Sequence, residues 1–514
     1  MDKRPKNRPG IILAVIVVLF LGRIAQWCLS EFWYDETLSL LLFVLKPQSL
    51  AEVFRSYQIA NNHILSNAIE WLWLRMGGGG ISFAEEMVRL PAVAAAVGTL
   101  LVTGLSWRRL LGEQRALTAA ALMAASPVFC GFAWQMRGYS LAIFLAALTV
   151  TAAACRLDRP TTRNGIALFC SSLLMPLVMP SAAMLPCAVA LAMACTAYKV
   201  ARKPRIWPAV LTGALPFAGA FCGVAYYLTL WEKFVYASHE AGGWVGFWRT
   251  LGGIAGPFLL HGVVPLLAAA LLAWRKKKSG HLSLAGDDDS RQTMRTYGLW
   301  LALSSAVAIV AVLVLRIPEG RYPFPRVFLP LLPAVTFALA MMPLKEGEGA
   351  KAHFVQLALI FAVGLGTGWL ADGLNDVSLR AGVTRQNLLC QYYRGKEDNR
   401  QLASRVVEEY FFRDGKSVLM IVPGIDGPSM QFYLSSMTGN QPVPWHLATG
   451  VEHYDALMLQ EARRNNACVM LSARNEAEAR KMLAECGWES SMPWSEWKQV
   501  ASTGFRLLWE HHLY

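Results

Sequence analysis

The sequence predicts a polytopic α-helical membrane protein with a C-terminal soluble α/β domain. Hydrophobic residues make up 55% of its 514 residues and charged residues only 16%, so the chain is more apolar than soluble domains are on average. Uncharged apolar stretches recur up to residue 371, whereas residues 372–514 have an ordinary mixed composition. These observations predict the fold class and a division into a transmembrane domain (1–371) and a soluble domain (372–514).

The net charge of +13 belongs to the apolar part of the chain. Residues 1–371 contain 33 basic and 18 acidic residues, whereas residues 372–514 contain 15 basic and 17 acidic ones. Basic residues in the loops of a membrane protein fit contact with anionic membrane lipids. The same distribution argues against nucleic acid as a partner, and the cysteines show no zinc-binding spacing.

A membrane-spanning helix needs about 20 predominantly apolar residues, and the chain offers eleven such stretches. They are residues 11–29, 90–107, 116–132, 139–155, 166–179, 182–198, 206–230, 251–274, 297–315, 327–342 and 354–371. The first is too long for the apolar region of a typical signal peptide, and no A-x-A cleavage site follows it. We therefore expect about eleven transmembrane helices, the first being a retained anchor.

The basic residues also predict which side of the membrane each loop faces. Short loops at 107–115, 156–163, 199–205 and 275–295 are rich in Lys and Arg, whereas the main loops between them are longer and rich in aromatic residues. By the positive-inside rule, the N-terminus lies in the cytoplasm and the C-terminal domain on the outer face. Residues 38–45 and 64–76, in the first outer loop, are too short to span, and the latter suits an interfacial helix.

The C-terminal part alternates strand and helix patterns, which is typical of a small α/β layer. Apolar runs at 418–422 and 468–471 predict buried strands, and a further strand is expected around 505–509. Helices are expected at 426–436, 454–464 and 475–486. The part contains no P-loop, GxGxxG, GxSxG or HExxH motif, so we expect a structural or docking role rather than catalysis.

Chemistry-bearing residues cluster in the predicted outer loops. Carboxylates at 31, 35 and 36 follow the first span, where charge near a bilayer is costly and usually has a function. The alternative is an ordinary interfacial loop anchored by Trp33 and Tyr34. Asn62 suits a helix N-cap, whereas His63 could instead contact a phosphate or a metal ion.

Arginines in the same loops depart from the usual charge bias. Arg137 at the start of a span either extends its side chain to the interface or grips a phosphate in bidentate fashion. Arg321 and Arg326 precede the tenth span, and an anionic partner would explain them. Lys233, His239 and Arg249 form a further charged group between the seventh and eighth spans. Carboxylates and arginines on one membrane face fit group transfer from a lipid phosphate.

Five short motifs carry a resemblance to a known family. W-x-D-E follows the first span (Trp33 to Glu36), Asn62 and His63 precede a short helix, and R-L-P opens the next span at Arg89. Ser126-Pro127 precedes R-x-Y (Arg137 and Tyr139), and R-x-x-x-P runs from Arg326 to Pro330. In this order the chain, over about residues 10–370, resembles the GT-C superfamily of polyprenyl-phosphate-sugar-dependent glycosyltransferases. Within it, the chain looks most like the bacterial branch related to protein O-mannosyltransferases and the lipid A aminoarabinose transferase.

The resemblance implies an inverting sugar transfer at the outer face of the bacterial inner membrane, with Asp35 as general base and Glu36 orienting it. The donor would be a polyprenyl (undecaprenyl) phosphate sugar, and the acceptor hydroxyl would belong to a lipid, a glycan or a protein. The expected donor phosphate ligands are Arg137, Tyr139, Arg321, Arg326, Lys233 and Arg249, and the expected pocket residues are Trp33, Tyr34, Asn62 and His63. A divalent metal ion on Glu36, His63 and His239 is a further implication.

The chain departs from the family pattern at two places. His63 is followed by Ile64 where relatives often have Pro, and Gln135 and Met136 replace part of a Q-E-A-R string. A lipid-linked glycan transporter or flippase is the main alternative from another class, but it should place ionisable groups near the membrane midplane. Among the predicted spans, Arg23 is the one clear case of an ionisable residue in the interior of a span. An O-antigen polymerase or ligase and a pure scaffold are further alternatives, and the sequence identifies neither sugar nor acceptor.

Overall fold

The computed structural model describes residues 8–56, 62–77, 85–201, 205–233, 238–240, 243–263, 289–341, 350–380, 398–408, 418–423, 427–438, 445–449, 460, 464, 467–485, 492–502 and 507–512. Its first part consists mainly of helices. They are α1 (Arg8–Cys28), α2 (Tyr34–Ser39), α3 (Leu50–Arg55), α4 (Ile64–Met76), α5 (Glu85–Leu101), α6 (Trp107–Leu111), α7 (Glu113–Ala125), α8 (Pro127–Ala133), α9 (Tyr139–Asp158), α10 (Thr162–Val178), α11 (Met184–Val200), α12 (Ile206–Ala225), α13 (Gly243–Phe258), α14 (Asp289–Leu315), α15 (Leu332–Ala340) and α16 (Ala350–Arg380).

The predicted membrane fold is confirmed. Within the described ranges, seven helices are long and apolar enough to cross a membrane: Pro9–Cys28, Glu85–Leu111, Tyr139–Asp158, Pro180–Val200, Ile206–Leu230, Ser290–Leu315 and His353–Ala371. Two shorter apolar helices, Thr162–Val178 and Pro325–Ala340, occupy the predicted fifth and tenth spans. In the predicted eighth span, α13 continues as a π-helical turn to Val263, and residues 264–274 lie outside the described residues.

The third span expected at 116–132 is formed by two helices, because the chain bends by 65° between α7 and α8. Ser126 adopts an extended backbone there, and its hydroxyl accepts the N–H of Phe129 as an N-cap. Pro127 follows at the first position of α8, where its missing N–H costs nothing. A single residue pair therefore ends one helix and starts the next at a new angle.

Close helix packing in the bundle depends on small residues in α12. A Cβ atom on Gly213 would collide with the backbone carbonyl of Ala190 in α11, and one on Gly223 would collide with that of Leu173 in α10. Small residues let helix backbones approach closely where no hydrophobic effect drives association in lipid. Helices α7 and α9 lie in the middle of the bundle, and most of their side chains are buried.

The C-terminal part forms a five-stranded mixed sheet in the order β4-β3-β5-β7-β6. Its strands are β3 (Val418–Val422), β4 (Trp445–Thr449), β5 (Cys468–Ala473), β6 (Lys498–Ser502) and β7 (Leu507–His512). Strand β3 pairs in parallel with β4 and β5, and β7 pairs antiparallel with β5 and β6. Helices α17 (Asn399–Val406), α18 (Gly427–Met437) and α19 (Glu476–Glu485) accompany it. A separate antiparallel pair joins β1 (Ser238–Glu240) to β2 (Arg321–Pro323).

Most of the elements expected in this part are confirmed. The three predicted strands match β3, β5 and β7, and the helices expected at 426–436 and 475–486 match α18 and α19. The helix expected at 454–464 falls almost entirely outside the described residues. Helix α16 continues past residue 371 to Arg380, so the division at that residue stays a prediction.

Candidate active site

The first loop carries a buried ion pair at its centre. Glu36, in the first turn of α2, receives two bonds from the Arg89 guanidinium: Nη2 to Oε2 at 2.7 Å and Nε to Oε1 at 3.0 Å. The backbone N–H of Met136 donates to Oε1 of the same carboxylate at 2.7 Å. Both charged side chains are fully buried, so each depends on the other for compensation.

Arg89 also closes the end of α1. Its Nη1 donates to the carbonyls of Trp27, Cys28 and Ser30, and Nη2 donates to the carbonyl of Glu31. The last carbonyls of a helix have no partner within the helix, and a cation there interacts favourably with the helix dipole. Arg89 therefore fixes the end of α1 and the start of the loop with one side chain.

Asp35 lies beside Glu36 in sequence but has a different partner. Its Oδ2 accepts a bond from Nη1 of Arg326, at 2.8 Å, although the two residues are 291 positions apart. Both side chains are mostly buried, at 7% and 13% exposure. Arg326 comes from the 3₁₀ helix Pro325–Leu331 before α15, so the ion pair joins the first loop to the end of a late span.

A second arginine contacts the same loop. Arg137, between α8 and α9, donates through Nη1 to the backbone carbonyl of Asp35 at 2.8 Å and to the hydroxyl of Ser39 at 2.9 Å. Its Nη2 lies 2.9 Å from Nε2 of His63. Burial lowers the pKa of His63 well below its usual value, and Arg137 and Arg326 lower it further, although a backbone contact with Val178 opposes this. The neutral imidazole therefore accepts the arginine proton at Nε2.

The structure thus brings together five of the predicted site candidates: Asp35, Glu36, His63, Arg137 and Arg326. Tyr139 packs edge-on against the His63 ring at 5.0 Å. Trp33 is the N-cap of α2 and is buried, and Tyr34 is half-buried beside it. These groups line one end of the bundle around a mostly buried cluster of carboxylates and guanidinium groups.

Other expected site residues lie apart or stay untested. Arg321 on β2 and Arg249 on α13 are exposed, whereas the residues of the cluster are mostly buried. The side chains of Lys233 and His239 lie outside the described residues. Asn62 was one candidate for an N-cap, which is wrong: His63 holds that position, and the Asn62 side-chain oxygen accepts a bond from Asn67 instead.

The residues expected to bind a metal ion fit it poorly. Both oxygens of Glu36 already accept hydrogen bonds from Arg89, and His63 Nε2 faces a guanidinium that would repel a divalent cation. Within the described ranges, no group of three or more His, Cys, Asp or Glu side chains could hold a metal ion. We therefore derive no step through a metal, and the metal expectation stays untested.

Sequence reasoning missed three contributors. Arg89 was noted only as part of R-L-P, and its pairing with Glu36 has no local signal because 53 residues separate them. Glu70 on α4 is buried, and Oε2 has no hydrogen-bond partner in the described structure. Burial, and then the nearby Glu36 charge, raise the pKa of Glu70 well above its usual value. Tyr433 of the C-terminal part reaches the first loop across 401 residues.

Fold and site together define a polytopic membrane protein whose C-terminal mixed-sheet part contacts a carboxylate and arginine cluster at one end of the helical bundle. Its fold is similar to that of ArnT from Cupriavidus metallidurans. The structure of ArnT in the apo state is 12% identical, with a TM-score of 0.52, over 98% of this chain and 97% of that one. The structure of ArnT bound to undecaprenyl phosphate is 11% identical, with a TM-score of 0.52, over 99% of this chain and 98% of that one. No protein-family model and no curated protein matches the sequence.

Proposed function

We propose that the protein is an integral membrane glycosyltransferase of the GT-C type that transfers a sugar from a polyprenyl phosphate donor to an acceptor hydroxyl. The single observation that carries this proposal is the Asp35 carboxylate, buried in the first loop and paired with Arg326 at 2.8 Å. A base next to a cation suits a reaction in which a hydroxyl loses a proton while a phosphate leaves as an anion. The similarity in fold to an ArnT structure bound to undecaprenyl phosphate supports the choice of donor.

In the proposed mechanism, the Asp35 carboxylate takes the proton of the acceptor hydroxyl. The acceptor oxygen attacks the anomeric carbon of the donor sugar and forms the new glycosidic bond. The bond between that carbon and the phosphate oxygen breaks, and its electron pair leaves with the polyprenyl phosphate. One displacement inverts the configuration at the anomeric carbon, and no second carboxylate nucleophile is required.

The two arginines near Asp35 have different proposed roles. Arg326 is the more exposed of the two, and its side chain pairs with the Asp35 carboxylate. A departing phosphate can therefore replace that carboxylate on the Arg326 guanidinium. Arg137 holds the backbone of Asp35, and its side chain also binds Ser39 and His63. We assign it mainly to orienting the base. Arg321, Lys233, Arg249 and Tyr139 remain proposed phosphate contacts.

Glu36 is assigned a positioning role through Arg89, since its oxygens face the guanidinium and the Met136 amide. Trp33, Tyr34, Asn62 and His63 are proposed to line the sugar pocket. The proposed location is the bacterial inner membrane, with the N-terminus in the cytoplasm and the site and C-terminal part in the periplasm. The acceptor is proposed to be a lipid, a glycan or a protein.

The proposal is tested with purified protein in lipid vesicles and a panel of undecaprenyl phosphate monosaccharides. An envelope extract supplies acceptors, and mass spectrometry measures release of undecaprenyl phosphate. We expect wild-type protein to consume at least one donor and Asp35→Asn to lose at least about a hundredfold in rate, the lower range for a general base. Asp158→Asn, an exposed aspartate at the far end of α9, is the matched control and should retain activity. Equal turnover by Asp35→Asn would refute the assignment of the base.

A further inference from the structure

We propose that helix α18 of the C-terminal part is a structural component of the active site, and that Tyr433 is a positioning residue for Asp35. This inference rests on the proposed function, because it concerns the loop that carries the proposed base. The sequence motifs assign no role in the reaction to the C-terminal part, and this inference gives it one.

The Tyr433 hydroxyl bridges two elements of the membrane part. It accepts the backbone N–H of Phe32 at 2.7 Å and donates to Oε1 of Glu85 at 3.1 Å. The side chain is almost fully buried, and burial raises the pKa of Tyr433, so the hydroxyl keeps the proton that it donates. Phe32 lies three residues before Asp35, and Glu85 opens α5, the helix that carries Arg89. One hydroxyl therefore connects the start of the first loop to α5, whose Arg89 pairs with Glu36.

Helix α18 contacts the loop at two further places. The Ser429 hydroxyl lies 3.2 Å from that of Thr37, and Thr37 in turn donates to the carbonyl of Trp33. The ring of Phe432 packs edge-on against Phe32, with ring centroids 5.6 Å apart. These contacts reach the chain on both sides of Asp35, at residues 32 and 37. Because these contacts lie before and after Asp35 in the chain, α18 restrains the segment that carries the proposed base.

A second contact secures the same junction. The Arg400 side chain donates to both carboxylate oxygens of Glu85, at 2.9 and 3.1 Å. Its backbone N–H donates to Oε2 of Glu31 at 2.7 Å. Glu31 and Glu85, two acidic residues of the membrane part, are thus held by residues of the C-terminal part. The loop is fixed from one side by Arg89 and Arg137 and from the other by Tyr433 and Arg400.

Loss of the Tyr433 hydroxyl should therefore affect turnover more than donor binding. The Phe32 amide and Glu85 would lose their shared partner, and the segment carrying Asp35 would be held less firmly. A general base works only within hydrogen-bond reach of the proton it removes, and small displacements cost up to about a hundredfold in rate. The Arg326 guanidinium comes from another element, so its binding of the donor phosphate is largely preserved.

The test compares Tyr433→Phe with Ser436→Ala, a change on the same helix. Within the described part of the chain, the Ser436 hydroxyl bonds to the carbonyl of Tyr433 and to no residue of the loop. Turnover is measured with the undecaprenyl phosphate monosaccharide that wild-type protein consumes. We expect Tyr433→Phe to lower kcat by about ten- to a hundredfold, with KM for the donor within about twofold. Ser436→Ala should behave as wild type, and Ser429→Ala should lower kcat by a smaller factor.

Hydrogen exchange of the purified proteins in nanodiscs gives a readout independent of activity. We expect faster exchange at residues 30–38 in Tyr433→Phe and unchanged exchange there in Ser436→Ala. Unchanged kcat and unchanged exchange in Tyr433→Phe would overturn the inference, as would a loss of stability with normal kcat per folded molecule. If wild-type protein consumes no donor, the proposed function fails, whereas the exchange data still decide whether Tyr433 orders the loop.

Discussion

Nη1 of Arg326 lies 2.8 Å from Oδ2 of Asp35, and this ion pair joins the first loop to the segment before α15. Because both side chains are mostly buried, the pair is screened less by water than a surface pair would be. A phosphate has the charge and the bidentate geometry to compete with the carboxylate for the same guanidinium. Donor binding and release of the base are therefore expected to be coupled at Arg326.

Replacement of Arg326 should weaken binding of undecaprenyl phosphate. Arg326→Gln removes the charge and the bidentate donor set while keeping a polar side chain, so we expect affinity to fall about tenfold or more, or about 1.4 kcal/mol. Binding is measured by the ligand-induced rise in melting temperature. Arg108→Gln is the control, since its partly exposed surface pair with Glu113 lies outside the cluster. Equal ligand-induced shifts in Arg326→Gln and wild type would contradict a role in phosphate binding.

Breaking the Glu36–Arg89 pair should destabilise the fold. Glu36→Gln keeps the side-chain volume but leaves the buried Arg89 charge without its counterion, so we expect a loss of about 3–5 kcal/mol. Thermal unfolding in detergent measures the change. Glu113→Gln breaks the surface pair with Arg108 and should cost no more than about 1 kcal/mol. Similar melting temperatures for the two variants would argue against a structural role of the buried pair.

Glu31 should make the junction with the C-terminal part depend on pH. Burial raises the pKa of Glu31 from 4.5 to about 7, and Asp398 adds to this, whereas the Arg400 and Asp398 amides and the Arg400 charge oppose it. The folded protein therefore binds more protons than the unfolded chain between about pH 4.5 and pH 7, and stability from this group falls as pH rises across that window. Glu85, Tyr433, Arg400, Asp398 and Arg89 are the other titratable groups described at this junction.

The pH effect is measured by comparing wild-type protein with Glu31→Gln, which stays neutral at every pH. We expect the melting temperature of the wild type to fall relative to that of the variant as pH rises from about 5 to about 7, and the difference to be constant above that. Glu52→Gln, at the exposed N-terminal turn of α3, is the control. A wild-type curve parallel to that of Glu31→Gln would show that Glu31 titrates normally in the folded protein.

The sequence by itself determined the fold class, most helix positions and the strands β3, β5 and β7. Apolar runs of about 20 residues and short runs typical of buried strands are local patterns, so they can be recognised without the tertiary structure. It also placed Asp35, Glu36, His63, Arg137 and Arg326 among the site candidates, since charge beside a membrane is costly enough to stand out. The apolar composition of residues 116–132 favoured a single span and concealed the bend at Ser126, although Ser126-Pro127, an N-cap residue followed by Pro at the first helical position, is a local signal for a helix start.

Only the tertiary structure decided which charges meet. Sequence spacing says nothing about whether Asp35 pairs with Arg326 or Arg137, whether Glu36 is bound by Arg89, or whether Tyr433 reaches the loop from 401 residues away. Such pairings are fixed by how helices from distant parts of the chain pack, and the energy of each depends on the burial that this packing creates. For that reason the residue types at the site were predictable, whereas the partner of each charged side chain was not.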